Sequence, residues 1–272
     1  MATPGAGVLT EVCVDSVAGV RIAAAAGADR VELCSGLEVG GLTPSAALIE
    51  HALAATGGSG LAVHVLIRPR SGDFRYSIDE IRCMERDVAI AVELGARGVV
   101  IGALNVDGSV DLDVTSRLVA VARAAGRAAA VAHPRRSSRI GVTFHRAFDL
   151  TADPFAALEA VRLCGIERIL TSGQAAGAAA GAVLLRKLVS AAGSGGAPIA
   201  ILAGGGIGPD TVADLISTTG VREVHFSGRR LVRSTMQFAP DGVSMGAADS
   251  SDRMATDPDT VRATIAAARS AG

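Results

Sequence analysis

The chain has 272 residues, 49% hydrophobic and 19% charged, enough apolar chain to bury a large core in one α/β barrel or in two smaller domains. Its 26 basic and 27 acidic side chains leave a net charge of −1, so no basic field covers the surface as a general nucleic-acid binder needs, and no nucleic-acid partner is expected. The opening MATPGAGVLTEV has neither a basic n-region nor a long apolar h-region, the Ala-rich runs are broken before membrane-spanning length, and four scattered cysteines form no CxxC. A cytoplasmic protein with reduced thiols and no membrane contact is therefore expected.

In chain order, short β-branched runs alternate with Ala/Leu/Arg-rich helical stretches. Strands are predicted at Leu9 to Val14, Arg30 to Cys34, Ala62 to Ile67, Gly98 to Ile101, Val142 to His145, Arg168 to Leu170, Ile199 to Leu202 and Glu223 to Phe226. Helices are predicted between them at Val17 to Ala26, Ser45 to Ala55, Ile78 to Leu94, Val114 to Ala125, Pro154 to Leu163, Ala182 to Ala192 and Thr211 to Ser217, with a last one at Pro258 to Arg269. Thr43-Pro44-Ser45, Ser77 with Glu80 three residues on, and Asp153-Pro154 are N-terminal capping signals. Eight alternating units predict a closed (β/α)8 TIM barrel as a single domain over 1–272, with the barrel at 8–228 and a lid segment plus helix at 229–272. An open Rossmann sheet would need GxGxxG after the first strand, where the chain reads CVDSVAG. The long stretch 229–257 follows the last strand and is expected to cross the barrel mouth as a lid or to form a dimer contact.

Side chains alternate along a strand, so each strand offers one face to the helices and one to the lumen. Val12, Val14, Val31, Leu33, Val63, Val65, Ile67, Val142, Phe144, Val224 and Phe226 form an apolar set suited to packing under helices. The other parity holds Glu11, Cys13, Asp15, Glu32, Cys34, His64, Leu66, Arg68, Thr143, His145, His225 and Ser227, and should point inward. Lone ions in a lumen cost several kcal/mol, so these groups must pair with each other or bind something.

Cys13 and Cys34, on adjacent strands with like parity, bring two sulfurs together, which suits a soft ion such as Cu(I) with His64, His145 or His225 as an imidazole ligand. The alternative is that both thiols only pack, as expected for Cys83 and Cys164. The glycine run Gly204, Gly205, Gly206 and the pair Ser227, Gly228 follow strands seven and eight, the usual phosphate site of such a barrel, and Thr171, Ser172 and Gly173 add donors after strand six. Arg68 and Arg70 in LIRPRSGDF, beside a turn and the acid Asp73, suit bidentate recognition of a carboxylate or phosphate at a substrate site, as does Arg146 in FHRAFD. His145 is then a general acid or base, with Glu32 or Asp15 as the complementary carboxylate. Arg70, Arg146 and Asp149 can equally be solvated loop charges.

Taken together, LTEVCVDS, GADRVELCSGLEVGGLTPS, VHVLIRPRSGDFRYS, VTFHRAFD, RILTSGQ and EVHFSG resemble the CutC family of copper homeostasis proteins, in order from about Leu9 to Gly228. The resemblance implies a (β/α)8 barrel, a cytoplasmic protein, commonly a homodimer, and Cu(I) binding through the cysteines at Cys13 and Cys34. Pro134 to Arg139 departs from the family as an insertion, and GVSMGAADSSD follows its Met-Ser-Ser stretch only loosely. Two readings follow. One is a copper-homeostasis protein holding Cu(I) with Cys13, Cys34 and His64. The other is a barrel enzyme for a small phosphorylated or carboxylated metabolite, with Gly204 to Gly206 and Ser227 on the anion, Arg68 orienting it, and Glu32, His145, Glu11 and Asp15 as catalytic candidates. No organic cofactor is expected in either.

Overall fold

Eight parallel strands close on themselves in chain order in the computed structural model, which describes residues 7–194, 196–238, 242–243 and 252–272. They are β1 (Leu9–Val14), β2 (Arg30–Leu33), β3 (Ala62–Leu66), β4 (Gly98–Ile101), β5 (Gly141–Phe144), β6 (Arg168–Thr171), β7 (Ala200–Gly204) and β8 (Glu223–Phe226), and β8 pairs back onto β1. Helices α1 (Val17–Ala25), α2 (Ala46–Ala55), α3 (Ile78–Leu94), α4 (Leu112–Ala132), α5 (Pro154–Leu163), α6 (Ala182–Ala192) and α7 (Val212–Thr219) follow strands β1 to β7 in turn. After β8 comes an antiparallel ribbon, β9 (Arg229–Val232) with β10 (Arg253–Thr256), and then α8 (Pro258–Ser270). The protein is thus the (β/α)8 barrel that the alternation predicts. The ribbon is new, and the parts of the expected lid at 239–241 and 244–251 lie outside the described residues.

The helix starts follow their capping chemistry. Ser77 accepts from Glu80 N while Glu80 accepts from Ser77 N, a full capping box, and Ser45, Asp153 and Asp257 cap α2, α5 and α8. The largest difference from expectation is at the end of α4, which runs seven residues past Ala125, through Gly126, to Ala132.

All eleven residues of the apolar parity set lie in the core between sheet and helices. Of the opposite parity, Glu11, Cys13, Glu32, Cys34, His64, Leu66, Arg68, Thr143 and His145 are buried, where apolar side chains alone would ordinarily pack, while Asp15 is not. At the N-terminal end of the strands, Arg30 donates to Glu11 and, at 2.7 Å, to Glu223, and Arg168 donates to Glu223 at 2.5 Å. This ionic floor pairs buried charges with one another, the condition for keeping them out of water. Above it, the His64 ring occupies space that only glycine leaves free, since a Cβ built at Gly98 would stand 2.4 Å from it and one at Gly141 would stand 3.0 Å away.

Candidate active site

The C-terminal ends of the strands surround a cavity of about 310 Å³. Three groups of residues line it. Leu66, Arg68, Phe74 and His145 come from β3, β5 and the segments after them; Gly205, Gly206, Ile207, Arg146 and Ser227 come from the loops after β5, β7 and β8; Cys13, Glu32 and His225 lie between, from β1, β2 and β8.

Cys13, Glu32 and His225 share protons. Cys13 Sγ lies 3.4 Å from Glu32 Oε2 and 3.7 Å from Cys34 Sγ, and His225 Nε2 lies 3.7 Å from Glu32. The Cys34 thiol donating to Cys13, with His225 and Glu32 assisting against desolvation, draws the Cys13 thiol down to about 5. Burial pushes Glu32 well above the usual carboxylate range, and the charge on Cys13 adds to it. Burial likewise pushes the Cys34 thiol up, leaving it protonated. Desolvation opposes the charge on His225, but hydrogen bonds to Cys13 and Glu11 outweigh it and raise its pKa well above the ordinary value. Two neighbouring acids are thereby driven apart: the Cys13 thiol is drawn down to about 5, while the Glu32 carboxyl 3.4 Å away is pushed up and holds its proton more tightly.

The second group is cationic. Arg68 is 7% exposed, and its guanidinium donates to the carbonyls of Val39, Gly41 and Gly72. Among the described residues it forms no ion pair. His145 accepts the backbone N–H of Ala147 at Nδ1, and burial, reinforced by Arg68, lowers its pKa to about 3.

The structure separates several residues that the sequence joins. Glu32 and His145 share no hydrogen bond; the partners of Glu32 are Cys13 and His225, because the β1–β2–β8 seam brings those three together. Glu11 is a buried counter-ion held well below the usual carboxylate range, against desolvation, by Arg30 and His225, and Asp15 stands 3.9 Å from Arg229, away from the cavity. Arg70 and Asp73 close a turn on each other and on Glu80, outside the cavity. Thr171 and Ser172 hold Asp149, Gly173 packs against Gly181, Gly204 gives room to Leu170 and His225, and Gly228 packs against Val261. Cys34 is fully enclosed, and His64 sits below the thiols, its pKa lowered to about 3 by burial and Arg30. Among the described residues the group whose ligand atoms lie within 4.8 Å of one another is Cys13, Glu32 and His225, without His64.

Three lumen residues escape the parity reading: Arg30, Arg168 and Glu223. Their signal is present, since Arg30 shares parity with Glu32 and Glu223 with His225. Phe74, whose ring packs tilted against His145 with centroids 4.9 Å apart, is another residue that the sequence reading misses.

Fold and site together define a (β/α)8 barrel with a polar, partly ionised cavity at the mouth where such barrels place their chemistry. The chain belongs to the CutC family, whose profile matches residues 8–230. The family protein CutC of Vibrio vulnificus strain YJ016 is 44% identical over 262 residues, covering 96% of this chain and 97% of that one. Its counterpart in Bacteroides thetaiotaomicron is 42% identical over 266 residues, covering 96% and 98%. A solved CutC structure from Streptococcus agalactiae, named for copper homeostasis, superposes with a TM-score of 0.71 at 29% identity, over 81% of this chain and 98% of that one. Among the described residues no helix is long and apolar enough to cross a membrane.

Proposed function

We propose that the barrel mouth binds a small anionic metabolite, phosphorylated or carboxylated, and transfers protons on it. The observation that carries this reading is the charge of Arg68. Glu11 and Glu223 are paired with Arg30 and Arg168, and Cys13 is balanced by His225, but the buried guanidinium of Arg68 meets carbonyl oxygens, the Phe74 ring and the cavity, and among the described residues no carboxylate. A buried cation lacking a counter-ion is costly, and a ligand anion removes that cost. Cys13 then acts as base or nucleophile, and Glu32 as the acid that returns a proton. The test is thermal denaturation of the full chain with millimolar phosphate esters and small carboxylates. Stabilisation by at least one class, lost in Arg68→Met while far-UV circular dichroism is unchanged, supports the reading; equal stabilisation of both proteins removes it.

A second reading, Cu(I) binding, is favoured by one distance: the 3.7 Å between Cys13 and Cys34 sulfurs, with His225 beside Cys13. Two soft sulfurs, one already a thiolate, fit a Cu(I) ion, and copper homeostasis is in the name of the Streptococcus agalactiae relative. Cys34 would give up its proton on loading, and bound Cu(I) would supply a soft Lewis acid at the mouth. A Cu(I) competition titration with Cys13→Ser and Cys34→Ser decides it, since unchanged affinity in both removes the metal.

A further inference from the structure

The donors around the cavity are of two kinds, and their arrangement says more about the ligand than its charge. His145 Nδ1 accepts the Ala147 N–H at 3.1 Å, so the single proton of a neutral imidazole sits on Nε2, which becomes a fixed donor. His145 Nε2 and Arg68 Nε are both buried atoms without a partner, on side chains 5% and 7% exposed that line the cavity. Phe74 lies against both, with the Arg68 guanidinium 5.0 Å and the His145 ring 4.9 Å from its ring centroid. Gly102 makes room for this imidazole, since a Cβ there would lie 2.4 Å from it. On the wall from the β7 and β8 loops, Gly205 and Gly206 turn at φ 107° and 70° beside Ile207 and Ser227. Among the described residues the backbone N–H groups of Gly206 and Ile207 meet no protein acceptor.

We infer that the cavity takes the phosphate ester of a small carbonyl compound, with its phosphate on the Gly206–Ile207 amides and Ser227 and its carbonyl oxygen on His145 Nε2 and Arg68 Nε. This rests on the anion-binding reading above, since Arg68 shares the one small cavity with the phosphate and so offsets the charge of the whole bound ester, and it adds the substrate class and the reaction. A neutral imidazole N–H does little for a full anion in the ground state, but it stabilises an oxygen that gains charge during reaction. In the step this supports, the C–H bond next to the carbonyl breaks and its proton passes to the Cys13–Glu32 pair, whose Sγ and Oε2 stand 3.4 Å apart in the cavity wall. The electron pair moves onto the carbonyl oxygen, giving an enolate held by His145 and Arg68. The Cys13–Glu32 pair then returns a proton to carbon, so no oxidant or other co-reactant is consumed. The cavity, about 310 Å³, is at the small end for ligand pockets and suits a short phosphorylated sugar or keto acid.

The experiment incubates the full chain in D2O with three- to five-carbon ketose and aldose phosphates, following the α-proton by NMR, and measures binding of glycerol phosphate, which has no carbonyl. Exchange above the buffer rate is expected with at least one of them, falling at least 100-fold in His145→Gln and in Cys13→Ser, while glycerol phosphate binds His145→Gln within threefold of the unsubstituted protein. That retained binding also shows that the variant is folded. Binding of phosphate esters with no exchange from any carbonyl compound overturns the inference and leaves anion binding standing, as does stabilisation by carboxylates alone. Failure of every phosphate ester and carboxylate to bind overturns both.

Discussion

Gly98 and Gly102, at the start of β4 and just beyond its end, each leave open the space that an imidazole fills, His64 for the first and His145 for the second. Both rings are buried, so a methyl group has nowhere to go without moving a ring or the strand. Gly98→Ala is expected to lose about 1–3 kcal/mol in urea denaturation, the usual cost of overfilling a packed interior. Glu11 is the acid on which the floor turns, since it faces Arg30 below and His225 above, its Oε1 lying 2.7 Å from His225 Nδ1. Glu11→Gln leaves a buried guanidinium and an imidazolium short of charge, and about 3–5 kcal/mol should be lost by the same measurement. A loss under 1 kcal/mol would mean that water already screens the lumen. Alternation makes Glu11, Cys13, Glu32 and His225 legible as one inward set before any coordinates. It misses Arg30, Arg168 and Glu223, although each opens a predicted strand with the inward parity, because their pairing at the floor of the lumen depends on contacts between strands that parity does not give. It matches Glu32 with His145, whereas the histidine beside Glu32 is His225, since parity says which face a side chain takes and not which side chains meet in the lumen.

The order and type of the eight strands and the helices between them are legible from periodicity and caps, because each β/α unit meets the same local demands on a parallel barrel. The exception is α4, where Gly126 reads as a stop and the helix continues. A Cβ at Gly126 would lie 2.6 Å from both Ile140 and the Ser138 carbonyl oxygen, so the glycine lets the 133–140 segment fold back onto the helix before β5. Packing decides that position, and helix propensity does not. Gly126→Ala, which should stabilise an exposed helix by about 1 kcal/mol, is expected to lower the urea midpoint here; a raised midpoint would show that the segment yields. The β9–β10 ribbon is missed for another reason: its strands are 20 residues apart, and neither carries an alternation that reaches a core. Its four-residue pairing delivers the chain to Asp257, whose carboxylate caps α8 by accepting from Thr260 N at 3.0 Å. Asp257→Ala should cost about 1 kcal/mol, read as a lower denaturation midpoint.

Burying titratable groups in one lumen makes the stability of the whole barrel depend on pH, with a sign that differs from group to group. His64 and His145 are held at about 3, against an ordinary 6.5, so both are neutral in folded and unfolded chains above pH 6.5 and contribute no slope there. Below 6.5 the unfolded chain binds two protons that the folded barrel refuses, and stability falls with acidification until the folded values near 3 are reached. Cys13, at about 5 against an ordinary 9.0, acts with the same sign between those two values. Glu32, pushed up, acts with the opposite sign, because the folded barrel keeps a proton that the unfolded chain releases above 4.5. His225, raised, contributes stability that is complete below 6.5 and lost as pH rises through its folded value, so it adds no slope below 6.5. Glu11, lowered, enters only below 4.5. Between pH 6.5 and 5 three groups therefore push one way and one the other, and the urea midpoint should fall steadily, each imidazole supplying up to about 1.4 kcal/mol per pH unit. His145→Gln removes one of the two imidazole contributions, so its midpoint should fall less steeply over the same range. A midpoint that stays level from pH 7 to 5, or an equal slope in His145→Gln, would mean that the imidazoles take up protons inside the barrel, and the neutral His145 donor on which the mouth depends would be lost with them.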